Sequence, residues 1–339
     1  MSDLQTYRPR TLLVTGGAGF IGATFVHHLL ARDPQVRIVT LDLLTYAGSL
    51  GHLDGLPDPA RHRFVQGDIC DAGLVDRLFR EHGCDGVVHF AAESHVDRSI
   101  SGPADFIRTN YVGTWTLLEA ARNHWTDPAR GPWRFHHVST DEVYGTLGPD
   151  DPPFRETTPY RPNSPYSASK AGSDHMVRAY FHTYGLPVTL TNCSNNYGPR
   201  QNWEKLIPTV IRHGRAGTPI PVYGRGDNIR DWLHVEDHCA AIHRVLTHGQ
   251  PGRCYNVGGD NEWSNLDLVH ALCGILDRLH PRQGPHRTLV TLVTDRPGHD
   301  WRYALDAGRI RNELNWHPRI PFAAGLEATV AWYLDRPLP

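Results

Sequence analysis

Residues 10–33, RTLLVTGGAGFIGATFVHHLLARD, decide the fold. An apolar run meets closely spaced glycines and then a pattern that puts Phe25, Val26, Leu29 and Leu30 on one helical side. That is a strand, a tight turn and an amphipathic helix. Gly16, Gly19 and Gly22 would let backbone N–H groups approach a pyrophosphate at the positive end of the helix. Asp42 ends the next apolar run, twenty residues after Gly22, where a carboxylate can accept both hydroxyls of an adenosine ribose. A 2′-phosphate would meet that carboxylate, and Leu43 and Leu44 follow rather than Arg, so the pattern favours NAD. The plain alternative is a tight turn and a solvated Asp.

Further along, VRIVTLDLL (36–44), FVQGDIC (64–70), GVVHFAAES (86–94) and RFHHVSTDEV (134–143) read as strands, with helical patterns at 72–83 and 114–125 between them. Strand alternating with helix implies an α/β fold with a Rossmann-type, doubly wound parallel sheet. Asp68, ending the third strand, could face an adenine or merely cap the next turn. The Pro-rich stretch 148–165 is expected as a surface loop, followed by a helix over 166–185 with Ser164 as N-cap and Pro165 in its first turn. After Asn196 the pattern is less regular and turn-rich, which places a smaller second lobe there.

The 339 residues can build one large domain or two intimate ones, and a net charge of −2 offers no basic excess for a nucleic acid or an anionic membrane. No apolar run near the start is long enough for a signal segment or a membrane span. The six cysteines are far apart, with no C-x-x-C pair, and read as buried thiols in a reducing cytoplasm. The 22 histidines show no metal-binding spacing; His27–His28 and His136–His137 fall in ordinary helix and strand patterns, so no metal is expected.

Only two lysines occur, Lys170 and Lys205, so 32 of the 34 basic residues are arginine. A lysine retained in such a background invites a reason, because a compact ammonium is what guanidinium cannot copy. Tyr166 lies four residues before Lys170, on the same helical face. A phenol is a poor base at neutral pH until a nearby cation stabilises the phenolate. The pair could then take a proton from a sugar hydroxyl during oxidation by NAD. At the end of the fifth strand, Thr140, Asp141 and Glu142 set two acids side by side; alone, they could be no more than a capped helix start.

These residues resemble the extended short-chain dehydrogenases, and within them the nucleotide-sugar 4,6-dehydratases. The likeness runs nearly end to end, through GGAGFIG, LDLLTYAG, HFAAESHVDRSI, VSTDEVYG, YSASKAGSDHMVRAY, TNCSNNYGP, EKLIP, GRGDNIRDWLHVEDH, YNVGGDNEWSNLDLV and DRPGHDWRYALD. The resemblance implies an NAD-binding domain over 1–195 with a return segment at about 230–258. A nucleotide-sugar-binding domain would take 196–229 and 259–339, in a homodimer packed through helices such as 104–123 and 165–184. It implies Asp141 as acid, Glu142 as base, Thr140 on the sugar C4 oxygen, and Tyr166 with Lys170 as the oxidising pair. NAD would touch Phe20, Ile21, Leu43, Leu44, Thr45, Asp68, Ile69, Ala91, Ala92, Ser94, Thr109 and Asn196 besides the glycines, Asp42, Tyr166 and Lys170. The sugar nucleotide would touch Ser94, Thr140, Asn195, Lys205, Leu206, Pro221, Tyr223, Arg230, Asn265, Arg296 and His299.

The expected reaction converts a nucleotide-glucose, dTDP-glucose first, to its 4-keto-6-deoxy sugar and water. UDP-glucose or another nucleotide-sugar stays open, because Gln201, Asn202, Trp203 and Trp263 depart from the family pattern near the nucleotide lobe. A 4-epimerase or decarboxylase on the same scaffold needs no acid pair, and a silent NAD-binding protein needs neither the pair nor Tyr166.

Overall fold

The computed structural model describes residues 6–127 and 131–338. Its centre is a sheet of seven parallel strands. In chain order the strands are β1 (Thr11–Thr15), β2 (Arg37–Asp42), β3 (His62–Gln66), β4 (Gly86–His89), β5 (Arg134–Thr140), β6 (Val188–Cys193), β7 (Asn195–Tyr197), β8 (Ile220–Tyr223), β9 (Ile229–His234), β10 (Cys254–Val257), β11 (Glu262–Ser264) and β12 (Val290–Val293). The large sheet runs β3-β2-β1-β4-β5-β6-β10, so the chain reverses its direction of travel at β1. This is the doubly wound arrangement expected from the alternation of strands and helices.

Burial on both faces explains why these strands read as nearly continuous apolar runs. In β1 the pleat sends Leu13 to one side, against Leu74, Leu78, Phe79 and Leu117 of the helices Ala72–His82 and Thr114–His124. Leu12 and Val14 go to the other, against Phe25, Leu29, Ile242 and Leu246 of Phe20–Arg32 and Val235–His248. Two of the buried histidines of β4 and β5 satisfy their rings locally. His89 meets the hydroxyls of Thr15 and Thr114, and His136 those of Thr189 and Thr191.

After β6, β7 and β9 run parallel and β11 joins β9 antiparallel, while β8 pairs with β12. A separate apolar cluster, with Ile207, Ile211, Leu268, Leu272 and Val330, lies under the helices Leu206–Ala216, Asn265–Leu279 and Phe322–Leu334. Two expectations change. The 148–165 stretch is not wholly a surface loop: Phe154 is buried against Tyr144 and Leu305, and Tyr160 packs on the same cluster. The helix expected over 104–123 is interrupted, because Ile107–Gly113 takes up a π-helical turn between Pro103–Phe106 and Thr114–His124. The wider turn lets Asn110 reach two neighbours, the Glu93 backbone at 2.9 and 3.0 Å and the Ser169 hydroxyl at 2.8 Å.

The helix Pro165–Tyr184 begins with a reciprocal capping box: the Ser164 hydroxyl accepts from Ser167 N–H at 3.1 Å, and the Ser167 hydroxyl accepts from Ser164 N–H at 3.0 Å. This cap sets the entry of the helix that carries Tyr166 in its first turn. Ser164→Ala is expected to lower the unfolding free energy by about 1 kcal/mol in a urea titration; an unchanged midpoint would show that tertiary packing alone fixes this helix start.

Candidate active site

The carboxyl ends of β1, β2, β4, β5 and β6 open into one cleft of about 310 Å³, at the point where the winding reverses. The glycine turn forms its floor. Gly16 has φ +68°, and a Cβ there would lie 2.6 Å from the Ala91 nitrogen. A Cβ on Gly22 would lie 2.2 Å from the Gly16 carbonyl oxygen. Gly19 caps the helix Phe20–Arg32 without any side-chain acceptor, so its first N–H groups stay available. This bare cradle fits the pyrophosphate of a dinucleotide.

At the end of β2, Asp42 is held by two backbone donors, Ala18 N–H to Oδ2 and Leu44 N–H to Oδ1, both at 2.9 Å. Each oxygen keeps lone-pair capacity for a ribose hydroxyl. Asp68 caps the turn that follows β3. It lines the cleft, and its carboxylate accepts from Cys70 N–H at 2.8 Å and pairs with Arg108 at 2.8 Å. Phe20, Ile21, Leu43, Thr45, Ile69, Ala91, Ala92, Ser94, Thr109 and Asn196 also line the cleft, with Thr109 carried by the π-helical turn. Leu44 does not; its left-handed backbone, φ 58°, turns its N–H onto Asp42.

Thr140, Asp141, Glu142, Tyr166 and Lys170 converge on this same space. The bland account of TDE is also true in part, since Thr140 caps the short turn Asp141–Tyr144 through its hydroxyl, which accepts from Glu142 N–H at 3.3 Å. Both carboxylates belong to the lining of the cleft. Burial, then the neighbouring Glu142, pushes the Asp141 carboxyl well above the usual range, and its Oδ2 has no hydrogen-bond partner. Burial also raises Glu142, opposed by Arg296, Arg230 and Lys205. Burial and then Glu142 raise the Tyr166 phenol, which lies beside the Thr140 hydroxyl. Lys170 is drawn down by burial, and its ammonium donates to the Val138 carbonyl at 2.8 Å.

Of the residues expected to hold a sugar nucleotide, Ser94, Thr140, Asn195 and Lys205 line the cleft, and Lys205 donates to the Ser94 carbonyl at 3.0 Å. Leu206, Pro221, Tyr223, Arg230, Asn265, Arg296 and His299 lie outside that lining. Tyr223 and Arg296 both bond Asp97, at 3.2 and 3.1 Å, and the Tyr223 and His299 rings meet edge to face at 6.4 Å. Arg230 stacks on Tyr303, 4.3 Å from the ring centre.

Sequence reasoning passed over Tyr46, Glu93 and His95, which line the cleft beside residues it did name. Their signal was adjacency, since Tyr46 follows Thr45 and the other two flank Ser94. The departures from the family pattern divide. Trp203 packs edge-on against Tyr333 at 4.8 Å and Trp263 leans on Phe322 at 5.3 Å, so both serve the second apolar cluster. Gln201 and Asn202 line the cleft, and Asn202 donates to the Tyr46 carbonyl at 3.1 Å.

Comparison with known proteins agrees with this geometry. A dTDP-glucose 4,6-dehydratase of Xanthomonas campestris pv. campestris is 58% identical over 96% of this chain and 93% of its own. The chain belongs to the dTDP-glucose 4,6-dehydratase family. The corresponding enzyme of Salmonella typhimurium is 53% identical over 95% of this chain and 92% of its own. Residues 13–329 match the wider family described as GDP-mannose 4,6 dehydratase. The crystal structure of DesIV, a dTDP-glucose 4,6-dehydratase from Streptomyces venezuelae with NAD bound, superposes with a TM-score of 0.88 at 49% identity, covering 96% of this chain and 97% of that one.

Gly22→Ala puts a methyl group where only 2.2 Å is free. It is expected to weaken dinucleotide binding at least about tenfold, a loss of roughly 1.4 kcal/mol, measured by calorimetric titration with NAD; equal affinity would show that the cradle is not the pyrophosphate site.

Proposed function

We propose that this chain is an NAD-dependent hydro-lyase that converts dTDP-glucose to dTDP-4-keto-6-deoxyglucose and water. The observation that carries the reading is the convergence of Thr140, Asp141, Glu142, Tyr166 and Lys170 on one cleft floored by the glycine cradle. The identity with dTDP-glucose 4,6-dehydratases supports the thymidine nucleotide.

Gly16, Gly19 and Gly22 would hold the pyrophosphate of NAD, Asp42 the adenosine ribose, and Tyr166 with Lys170 the nicotinamide ribose. Bound NAD supplies an acceptor for the hydrogen on C4 and a donor of the same hydrogen to C6. Tyr166, as phenolate steadied by the Lys170 ammonium, takes the proton of the C4 hydroxyl while Thr140 holds that oxygen. The C4 ketone acidifies C5. Glu142 then removes the C5 proton, and Asp141, kept protonated by burial and by its neighbour, gives its proton to the departing C6 hydroxyl. After C6 has been reduced, a proton returns to C5 from Glu142; Tyr166 then holds the proton taken from the C4 hydroxyl and Asp141 lacks the one given to water, so a net transfer of one proton from Tyr166 to Asp141, directly or through solvent, resets the site. An epimerase needs only the first of these steps, and the buried acid pair would then have no task.

The domain division belongs to the same proposal: 1–195 with about 230–258 for the dinucleotide, and 196–229 with 259–339 for the sugar nucleotide. The separate apolar clusters support it. The strand β9, at the start of the return segment, departs from that division, pairing with β7 and β11; it is β10 and the helix Val235–His248 that join the dinucleotide part. Lys205, Arg230 and Arg296 would meet the diphosphate, with Asn195, Leu206, Pro221, Tyr223, Asn265 and His299 around it. We place the enzyme in a reducing cytoplasm, supported by six free cysteines; among the described residues no helix is long and apolar enough to cross a membrane. A homodimer is proposed as well, because the outer face of the 103–124 segment exposes Ile107 (57%) and Trp115 (46%) together with Tyr111 and Val112.

Three outcomes check these readings. Glu142→Gln should lower turnover by about 10² to 10⁴ with NAD content unchanged, and mass spectrometry of the wild-type product should show one water lost and deuterium moved from C4 to C6. Turnover should follow a bell against pH. Since Glu142 must be ionised and its carboxyl is raised, the acid limb should lie above the ordinary value of about 4.3, and the alkaline limb marks loss of the proton on Asp141 or on Lys170. In sedimentation, Trp115→Glu should convert a two-chain species to one chain; a monomeric wild type would refute the dimer.

A further inference from the structure

Behind the cleft lies a carboxylate that the reaction does not touch. Asp174 is one helical turn beyond Lys170, so the two side chains share a face of the helix Pro165–Tyr184, and Asp174 is wholly buried. Three neutral donors from three segments fix its Oδ2: the Ser139 hydroxyl of β5 at 2.9 Å, the Tyr160 hydroxyl at 3.0 Å and the Asn192 amide of β6 at 3.2 Å. The same Asn192 amide donates to the Thr140 carbonyl at 3.0 Å, which ties the cluster to the strand end bearing the acid pair. Its Oδ1 lies 3.2 Å from His137 Nε2.

We infer that Asp174 is a positioning residue for the proposed reaction, a fixed counter-ion one helical turn away, beyond ion-pair distance, that helps keep charged the Lys170 ammonium held at the Val138 carbonyl. The inference rests on the reading of Lys170 as the partner of Tyr166. A buried ammonium with one carbonyl partner pays a large desolvation penalty unless an opposite charge is near. The groups facing Lys170 from each packed element are few. On its own helix they are Tyr166 and Asp174, on β4 His89, on β5 His137 and on β6 Cys193. Burial drives His137 down to about 4 and His89 well below its usual range, so both rings are neutral near pH 7. Burial pushes the Cys193 thiol up, which leaves it uncharged too. Burial favours protonating Asp174, but His137, the Lys170 charge and the Ser139 hydroxyl outweigh it and hold the carboxyl below its ordinary value. Among the described residues that face Lys170, Asp174 is thus the group that stays negative throughout the catalytic cycle.

Asp174→Asn is the conservative test. The amide oxygen can keep the three donors on Oδ2, and the amide nitrogen can face His137 Nε2 as an acceptor, so shape and hydrogen bonds are retained while the charge is lost. With only two lysines in the chain, labelling lysine with ¹³C at Cε gives two side-chain signals, and Lys205→Arg identifies Lys170. In Asp174→Asn the Lys170 titration midpoint should fall by about one pH unit or more, and the alkaline limb of kcat should fall with it, while KM for dTDP-glucose and NAD content stay as in the wild type. A folded, NAD-containing variant with an unmoved Lys170 midpoint overturns the inference. Should the variant not fold, the wild type decides alone: Lys170 should titrate below an ordinary lysine yet stay charged at neutral pH, and a lysine already neutral at pH 7 would mean that no counter-ion holds it. A wild type that fails to dehydrate dTDP-glucose would sink the proposed reaction instead, and the lysine titration would still report on Asp174.

Discussion

The hydrogen bond from Lys170 to the Val138 carbonyl, 2.8 Å long and out of reach of solvent, joins the helix Pro165–Tyr184 to β5 two residues before that strand ends. Every other relation in the cleft depends on that junction. It sets how far the helix slides along the sheet, and hence where the Tyr166 ring stands over Thr140, Asp141 and Glu142. A charged group accomplishes this in a dry interior only because its surroundings are polar in a specific way, with a carbonyl above and a carboxylate a turn below. An apolar contact of equal area would hold the helix against the sheet without fixing its register to a fraction of an ångström.

The glycine turn imposes the complementary constraint. Where Lys170 needs a particular side chain, Gly16 and Gly22 need none, since backbone atoms occupy the places that a Cβ would take. The two requirements act on one cleft, and the parallel sheet sets the spacing between them. Because all seven strands point the same way, their carboxyl ends fall on one edge, and residues far apart in sequence, Gly16, Asp42, Ala91, Thr140 and Cys193, meet there.

Much of this could be read from the amino acids. The strand–turn–helix at 10–33, the order of the next strands and the Tyr166–Lys170 spacing are local patterns, and local patterns survive into the fold because period and burial coincide in them. What could not be read was set by packing at long range. The π-helical turn at Ile107–Gly113 has no compositional mark, as its wider hydrogen bonding answers to Glu93 and Ser169. Phe154 and Tyr160 looked like loop residues because prolines surround them, yet the segment folds back on Tyr144. Trp203 and Trp263 stood out as departures beside the nucleotide lobe, and only their neighbours Tyr333 and Phe322 show that they fill an apolar core instead. Asp97 gave no signal at all, since its meaning lies in Tyr223 and Arg296, over a hundred residues away.

The scarcity of lysine has a practical corollary. With Lys170 sealed inside and Lys205 lodged against the Ser94 carbonyl, the outer surface offers acylating and cross-linking reagents no side-chain amine. Such a reagent would have to enter the catalytic chamber to react along the chain, so the extent of its reaction there becomes a gauge of whether the chamber is filled.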